Sequence, residues 1–204
     1  MNKLGIRNQI KGLLNRNDIT DTQADIFIDQ AVARIQRSLR VPSMEKTVVY
    51  TTGTTGQDLL TLPTDFLQLK HLYTPSGTLR YVGLDEYIRT QDAPGNAPSI
   101  YTRIQGSLQI KSTPPVGYKI YMVYYGEIPD LDIDTSTNFV TDIAPDLLVY
   151  GALTFAADFF LDDRKEAFEA ASVRIYEELT NQALEMEFAQ DGMAISTSAN
   201  YPEY

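Results

Sequence analysis

The sequence predicts an α+β protein. Its core is an antiparallel helical bundle, formed by an N-terminal helix and a C-terminal helical hairpin, with an inserted antiparallel β module and an extended C-terminal tail. Three observations carry this prediction. First, from Leu147 to Leu161 the chain is apolar almost all the way round a helical wheel, and a helix with no face to give to water belongs at the centre of a fold. Second, a new helical pattern follows directly after Asp162 and Asp163, with Phe168, Ala171, Ile175, Leu179, Gln182 and Met186 at alternating steps of four and three. Third, between residues 47 and 125 the period shortens to that of strands rich in Val, Ile, Tyr and Thr. The expected parts are an N-terminal arm and first bundle helix (1–46), the β module (47–128), a loop with the helical hairpin (129–191) and the tail (192–204).

Residues 1–16 predict a short amphipathic helix, with Leu4, Ile10, Leu13 and Leu14 apolar and Lys3, Arg7 and Lys11 spaced by four. Together with Arg16 these cations read as uncompensated until Asp18. Thr20-Asp21-Thr22-Gln23 fits a capping box, and Ala24, Phe27, Ile28, Ala31, Val32, Ile35 and Leu39 supply the stripe of the helix that follows. Pro42 is expected to end that helix, while Arg34, Arg37 and Arg40 suit the negative end of its dipole. Strands are expected at 47–52, 58–62, 66–73, 78–82, 107–111 and 118–125. Turn signals at Gly53-Thr54-Thr55-Gly56, Pro75-Ser76-Gly77 and Pro114-Pro115-Val116-Gly117 separate them. Residues 84–90 suggest one helical turn and 91–99 an exposed loop. A connection at 129–142 follows, with Thr141 or Asp142 capping the apolar helix and Pro145 in its first turn. The short break after that helix favours an antiparallel pair, with the first helix beneath the second.

The composition is that of an ordinary folded protein, 43% hydrophobic and 22% charged. Cysteine is absent, which excludes disulfides and thiolate chemistry. The apolar helix falls short of the roughly 20 residues a bilayer asks for, and no secretory leader opens the sequence, so neither membrane nor export is expected. Thirteen tyrosines and no tryptophan suit half-wet contact surfaces, or simply tyrosine-rich strands. Charge is uneven: residues 1–140 carry 14 basic and 14 acidic side chains, whereas 141–204 carry 3 and 13. An acidic helix face argues against a binding site for nucleic-acid phosphates.

No catalytic, cofactor or metal residues are expected. His71 lies in a strand pattern without a G-x-S-x-G elbow, and neither a phosphate-cradling loop nor an H-E-x-x-H site is present. Asp130-Leu131-Asp132-Ile133-Asp134 begins like a calcium loop, but Thr135 stands where glycine is needed and Thr141 where glutamate is needed.

Three stretches carry a family likeness: Leu62-Pro63-Thr64-Asp65-Phe66-Leu67, Tyr124-Tyr125-Gly126-Glu127-Ile128-Pro129-Asp130-Leu131, and Pro145-Asp146-Leu147-Leu148-Val149-Tyr150-Gly151-Ala152-Leu153. In this order, between an N-terminal helix and a final acidic helix, the chain from about residue 20 to 187 resembles the head-to-tail adaptor proteins of tailed, particularly short-tailed, bacteriophages. Pro63, Phe66 and Gly151 would then specify the fold, Phe66 filling a seam between sheet and helices. The resemblance implies a homo-oligomeric ring, expected to hold about twelve copies, beneath the portal protein in the neck of the virion. The β module would meet a tail nozzle or tail-fibre protein, DNA would pass through the middle without sequence-specific binding, and assembly would take place in the host cytoplasm. Glu178 and Glu185 are candidates for an acidic channel wall. Met193, Ile195, Tyr201 and Tyr204 are candidates for a portal-docking tail held by a partner chain. Two other readings remain: another neck, head-closure or tail-completion protein, and a carbohydrate-binding β module on a helical stalk, using the tyrosine-rich strands and the 91–99 loop.

Overall fold

The structure is a computed structural model that describes residues 1–16, 18–53 and 58–190, with side chains described up to 186. The chain divides into two units, one made of residues 1–42 with 128 onward, the other of residues 43–127. The turn signal at 54–57 lies outside the described residues.

In the first unit, Asn2 opens helix α1 (Lys3–Leu14), its side chain accepting from the Gly5 amide at 2.9 Å. Helix α2 (Asp21–Ser38) starts at the capping box legible in the sequence. Thr20 Oγ1 accepts from the Gln23 amide at 3.2 Å, and Gln23 Oε1 accepts from the Thr20 amide at 2.9 Å. The helix stops short of Pro42: the backbone is already extended at Leu39, and Arg40 donates to the carbonyls of Gln36 and Leu39. A guanidinium meeting the last carbonyls does the work that had been expected of the proline.

The cations of α1 are not uncompensated. Lys11 pairs with Asp21, Arg7 holds Asp25 through two bonds of 2.8 Å, Lys3 stands 3.4 Å from Asp25, and Arg16 clasps Asp18. Four-residue spacing on α1 meets four-residue spacing on α2, so partners distant in sequence face each other across two helices. Arg7 and Lys3 are each only 7% exposed, and Arg7 also reaches Asp134 at 2.8 Å. Neighbour-by-neighbour charge counting cannot see such pairs.

The link at 129–142 contains a helix that the sequence reading missed, α4 (Phe139–Ile143; α3 belongs to the second unit). Asn138 caps it, with Thr141 returning the bond from the third position, so Thr141 is inside the helix rather than at its cap. Helix α5 (Pro145–Phe159) follows with proline in its first turn and no side-chain cap at Ala144. It touches α1, α2, α4 and α6 (Lys165–Gln190), and Leu147, Leu148, Val149, Ala152, Leu153, Ala156 and Ala157 are all buried. The seam of α6 departs from its predicted line: Ser172, Ile175 and Ala183 are buried, while Gln182 and Met186 are exposed. A strict 3.5-residue repeat drifts by about 20° per heptad on a straight helix, enough to move the contact from Gln182 to its neighbour. Among the described residues no helix is long and apolar enough to cross a membrane.

The second unit holds β1 (Glu45–Thr51), β2 (Leu59–Thr61), β3 (Phe66–Thr74), β4 (Gly77–Thr78), β5 (Arg80–Tyr81), α3 (Leu84–Arg89), β6 (Ile100–Ile104), β7 (Ser107–Lys111) and β8 (Lys119–Gly126). They form two four-stranded sheets, in the orders β1-β8-β3-β4 and β2-β7-β6-β5. Leu72, Ile120, Met122 and Tyr124 from the first sheet and Leu60, Leu108 and Ile110 from the second share one core. Two expectations are corrected. Strand β6 was not foreseen: it turns into β7 through Gln105 and Gly106, both at positive φ (49° and 77°), and glutamine in place of asparagine hides that hairpin signal. The pairing is also not wholly antiparallel, since β5 and β6 run parallel. The connection through α3 and residues 90–99 is long enough to bring the chain back in the same direction.

Within α5, Gly151 admits α2 at close range: a Cβ built there would stand 3.2 Å from the Ala31 Cβ. A branched side chain overfills this contact. Gly151→Val should destabilise the protein by about 1–3 kcal/mol, read as a lower urea midpoint at unchanged slope; an unshifted midpoint would show that α2 yields freely.

Candidate functional site

The first two of the three stretches, some sixty residues apart, meet in the second unit. Phe66 pairs with Gly126 in the β3–β8 register and stacks on Tyr124 with ring centres 5.7 Å apart. The Asp65 carboxylate accepts from the Tyr124 hydroxyl at 3.0 Å and from Lys46 Nζ at 2.6 Å, while its carbonyl accepts from the Glu127 amide at 2.8 Å. Gly126 makes room for this, since a Cβ there would stand 2.7 Å from Lys46 Cδ and 3.0 Å from Asp65 Oδ2. Pro63 initiates the turn, its carbonyl accepting from the Phe66 amide at 3.2 Å. Phe66 therefore packs within the β unit, on Tyr124. The sequence reading singled out Phe66 and Pro63 but missed Asp65, Tyr124 and Gly126. Their positions inside the same two motifs were the available signal.

The third stretch lines a hollow in the first unit. Small side chains at Ala31, Gly151 and Ser172 leave a cavity of about 200 Å³ where α2, α5 and α6 meet. Leu147 and Ile35 contribute apolar walls, Val173 and Tyr176 the α6 side, and Arg34 the polar edge, where it pairs with Glu169 at 2.9 Å.

The turn from α5 to α6 is built firmly. The Asp162 amide donates to the Ala157 carbonyl at 2.8 Å and the Leu161 amide to Asp158 at 3.3 Å, a Schellman ending. Its left-handed position, φ 53°, is normally given to glycine but here carries Leu161, at a cost of roughly 1–2 kcal/mol. That leucine is 90% exposed and its neighbour Phe159 60%. Below them Phe159, Phe160 and Phe27 pack ring on ring, Arg16 covers Phe160 at 4.4 Å, and Arg164 donates to the Leu13 and Leu14 carbonyls at the end of α1. The hydrogen bond from Arg164, more than any other contact, holds the Asp162 carboxyl down to about 2.

The sequence model of the SU10 adaptor protein family matches residues 1–201. The chain belongs to that family. It is accordingly a structural adaptor of a bacteriophage, a component of the virion neck. No curated protein matches it in sequence.

The adaptor places its remaining candidates as follows. Glu178 and Glu185 are exposed on α6, two turns apart and so on one face, with Arg174 3.8 Å from Glu178. His71 is exposed on β3. Asp134 of the calcium-like stretch is engaged by Arg7, and its carbonyl accepts from the Leu4 amide at 3.0 Å. Among the described residues no group of three His, Asp or Glu is placed to hold a metal ion. In the tyrosine-rich β unit, Tyr73 and Tyr121 stack on each other at 5.0 Å, and the 91–99 loop is tied down by Asp92 on Thr113. Met193, Ile195, Tyr201 and Tyr204 lie outside the described residues.

The Asp65–Tyr124 contact has a readable pH signature. Burial first, then the bond to Asp65, push the Tyr124 phenol up to about 12. A folded-state value above the unfolded one means that this contribution is whole below about pH 10 and is lost as pH rises to about 12. The Asp65 carboxyl is held below its usual range chiefly by Lys46, so its share is whole above about pH 4 and fades in acid. Tyr124→Phe should remove up to about 1.4 kcal/mol per pH unit from the alkaline slope of stability. Urea melts of both proteins at several pH values between 10 and 12 measure it, and parallel slopes would refute the assignment.

Proposed function

We propose that this adaptor forms a closed ring, of about twelve copies, beneath the portal protein at the capsid vertex, and joins capsid to tail while leaving a channel for DNA. The observation that carries the reading is the adaptor-family match along nearly the whole chain. The β unit, with its exposed Tyr81, Leu84 and Ile88, is the part that would meet a tail nozzle or fibre protein. The tail beyond α6, with Met193, Ile195, Tyr201 and Tyr204, would dock on the portal. Assembly would take place in the host cytoplasm before DNA passes.

Glu178 and Glu185 are the proposed channel wall. Exposed carboxylates repel a polyanion and let a duplex slide without sticking. Glu178→Lys with Glu185→Lys should slow DNA ejection several-fold, and ejection kinetics equal to wild type would remove these residues from the channel.

Mixed with portal particles, the full chain should appear in negative stain as rings on the portal, and native mass should count the copies. A chain ending at Asp191 should lose portal binding. Persistent monomers in the presence of portal would overturn the ring, and normal binding by the shortened chain would overturn the role of the tail.

A further inference from the structure

We propose that adjacent copies of the adaptor join by a knob and a socket: Leu161 of one copy seats in the hollow between α2, α5 and α6 of the next. The inference rests on the ring reading and deepens it by naming the contact that closes the ring.

The knob is an outlier that its own chain does not repay. Leucine occupies a left-handed position that glycine would take without strain, and the residue is 90% exposed. Strain kept at an exposed apolar residue points to a benefit outside the isolated chain. The knob is also held rigidly. The Schellman bonds fix the turn, the Phe27–Phe159–Phe160 cluster supports it, and Arg164 ties it to the end of α1. A preorganised side chain of this kind loses little freedom when it binds.

The socket fits such a guest. A cavity of roughly 150 Å³ lined by apolar groups accepts benzene, so the hollow of about 200 Å³ has room for a leucine side chain. Ala31, Gly151 and Leu147 give it an apolar floor, and Val173, 42% exposed, marks its open side. A chain cannot fill its own socket: Leu161 lies about ten residues past Gly151, roughly 15 Å along the axis. Knob and socket are therefore different patches of one unit. A contact between unlike patches repeats head to tail and closes into a ring when its rotation closes, whereas a two-fold pair would seat each knob in the other's socket and stop at two copies. The occupant is a second copy, and the ring reading selects the head-to-tail arrangement over the reciprocal pair.

The absence of cysteine makes the test direct. The full chain carrying Leu161→Cys and Val173→Cys, assembled on portal particles and oxidised, should give a ladder of covalent multimers on a denaturing gel, while either single variant should not. Leu161→Gly should keep or raise the thermal midpoint yet lower ring yield at least ten-fold. Wild-type rings accompanied by normal Leu161→Gly rings and no ladder would overturn the knob and socket while leaving the ring intact. An absence of wild-type rings would overturn both.

Discussion

One helix with no side to offer water sets the terms for the first unit. Because α5 is apolar all round, it can exist only if other helices cover it on every flank. The chain meets this from both directions: α1 and α2 come from its beginning, α4 and α6 from its end. Burial alone would leave the cover free to slide. Register comes from specific contacts, with Gly151 admitting Ala31 at close range and α1 locked to α2 by the ladder from Lys11–Asp21 to Arg7–Asp25. Replacing buried Arg7 by an apolar residue of equal volume preserves packing, whereas removing Asp25 alone takes from Arg7 and Lys3 the carboxylate they share. The ladder thus contributes to uniqueness of arrangement more than to raw stability.

The β unit solves a similar problem with polar groups. Its core is apolar and shared by two sheets, yet the place where the chain prepares to leave is fixed by one carboxylate. Asp65 gathers a phenol, an ammonium and, through its carbonyl, a backbone amide around a glycine that makes way for them. Asp65, Tyr124 and Gly126 all lie inside two of the three motifs, so what those stretches encode here is a folding contact.

Much of this was legible in the sequence, for definite reasons. The capping box at Thr20 and Gln23, the apolar run of α5 and most strands follow from local pattern, and local pattern is what a sequence displays. What escaped was non-local or disguised. Strand β6 hid behind a hairpin turn built on glutamine; the parallel β5–β6 pair depends on a long connection; and the α1 cations found partners on another helix. Of the site, Phe66 and Gly151 were legible as unusual residues in their motifs, whereas Asp65, Tyr124 and Leu161 gained meaning only from their surroundings. Leu161 did leave one trace, a bulky residue where a helix ending calls for glycine.

The entry and exit of the β unit stand side by side. Glu45, at the start of β1, faces Tyr125 near the end of β8, so the two crossings of chain are neighbouring strands of one ladder. Such a unit asks of its host only two ends about 5 Å apart, the separation that any hairpin offers. It is in that sense a cassette. Residues can be added to or removed from its interior without changing what the helices around α5 must supply, which is one pair of adjacent chain ends.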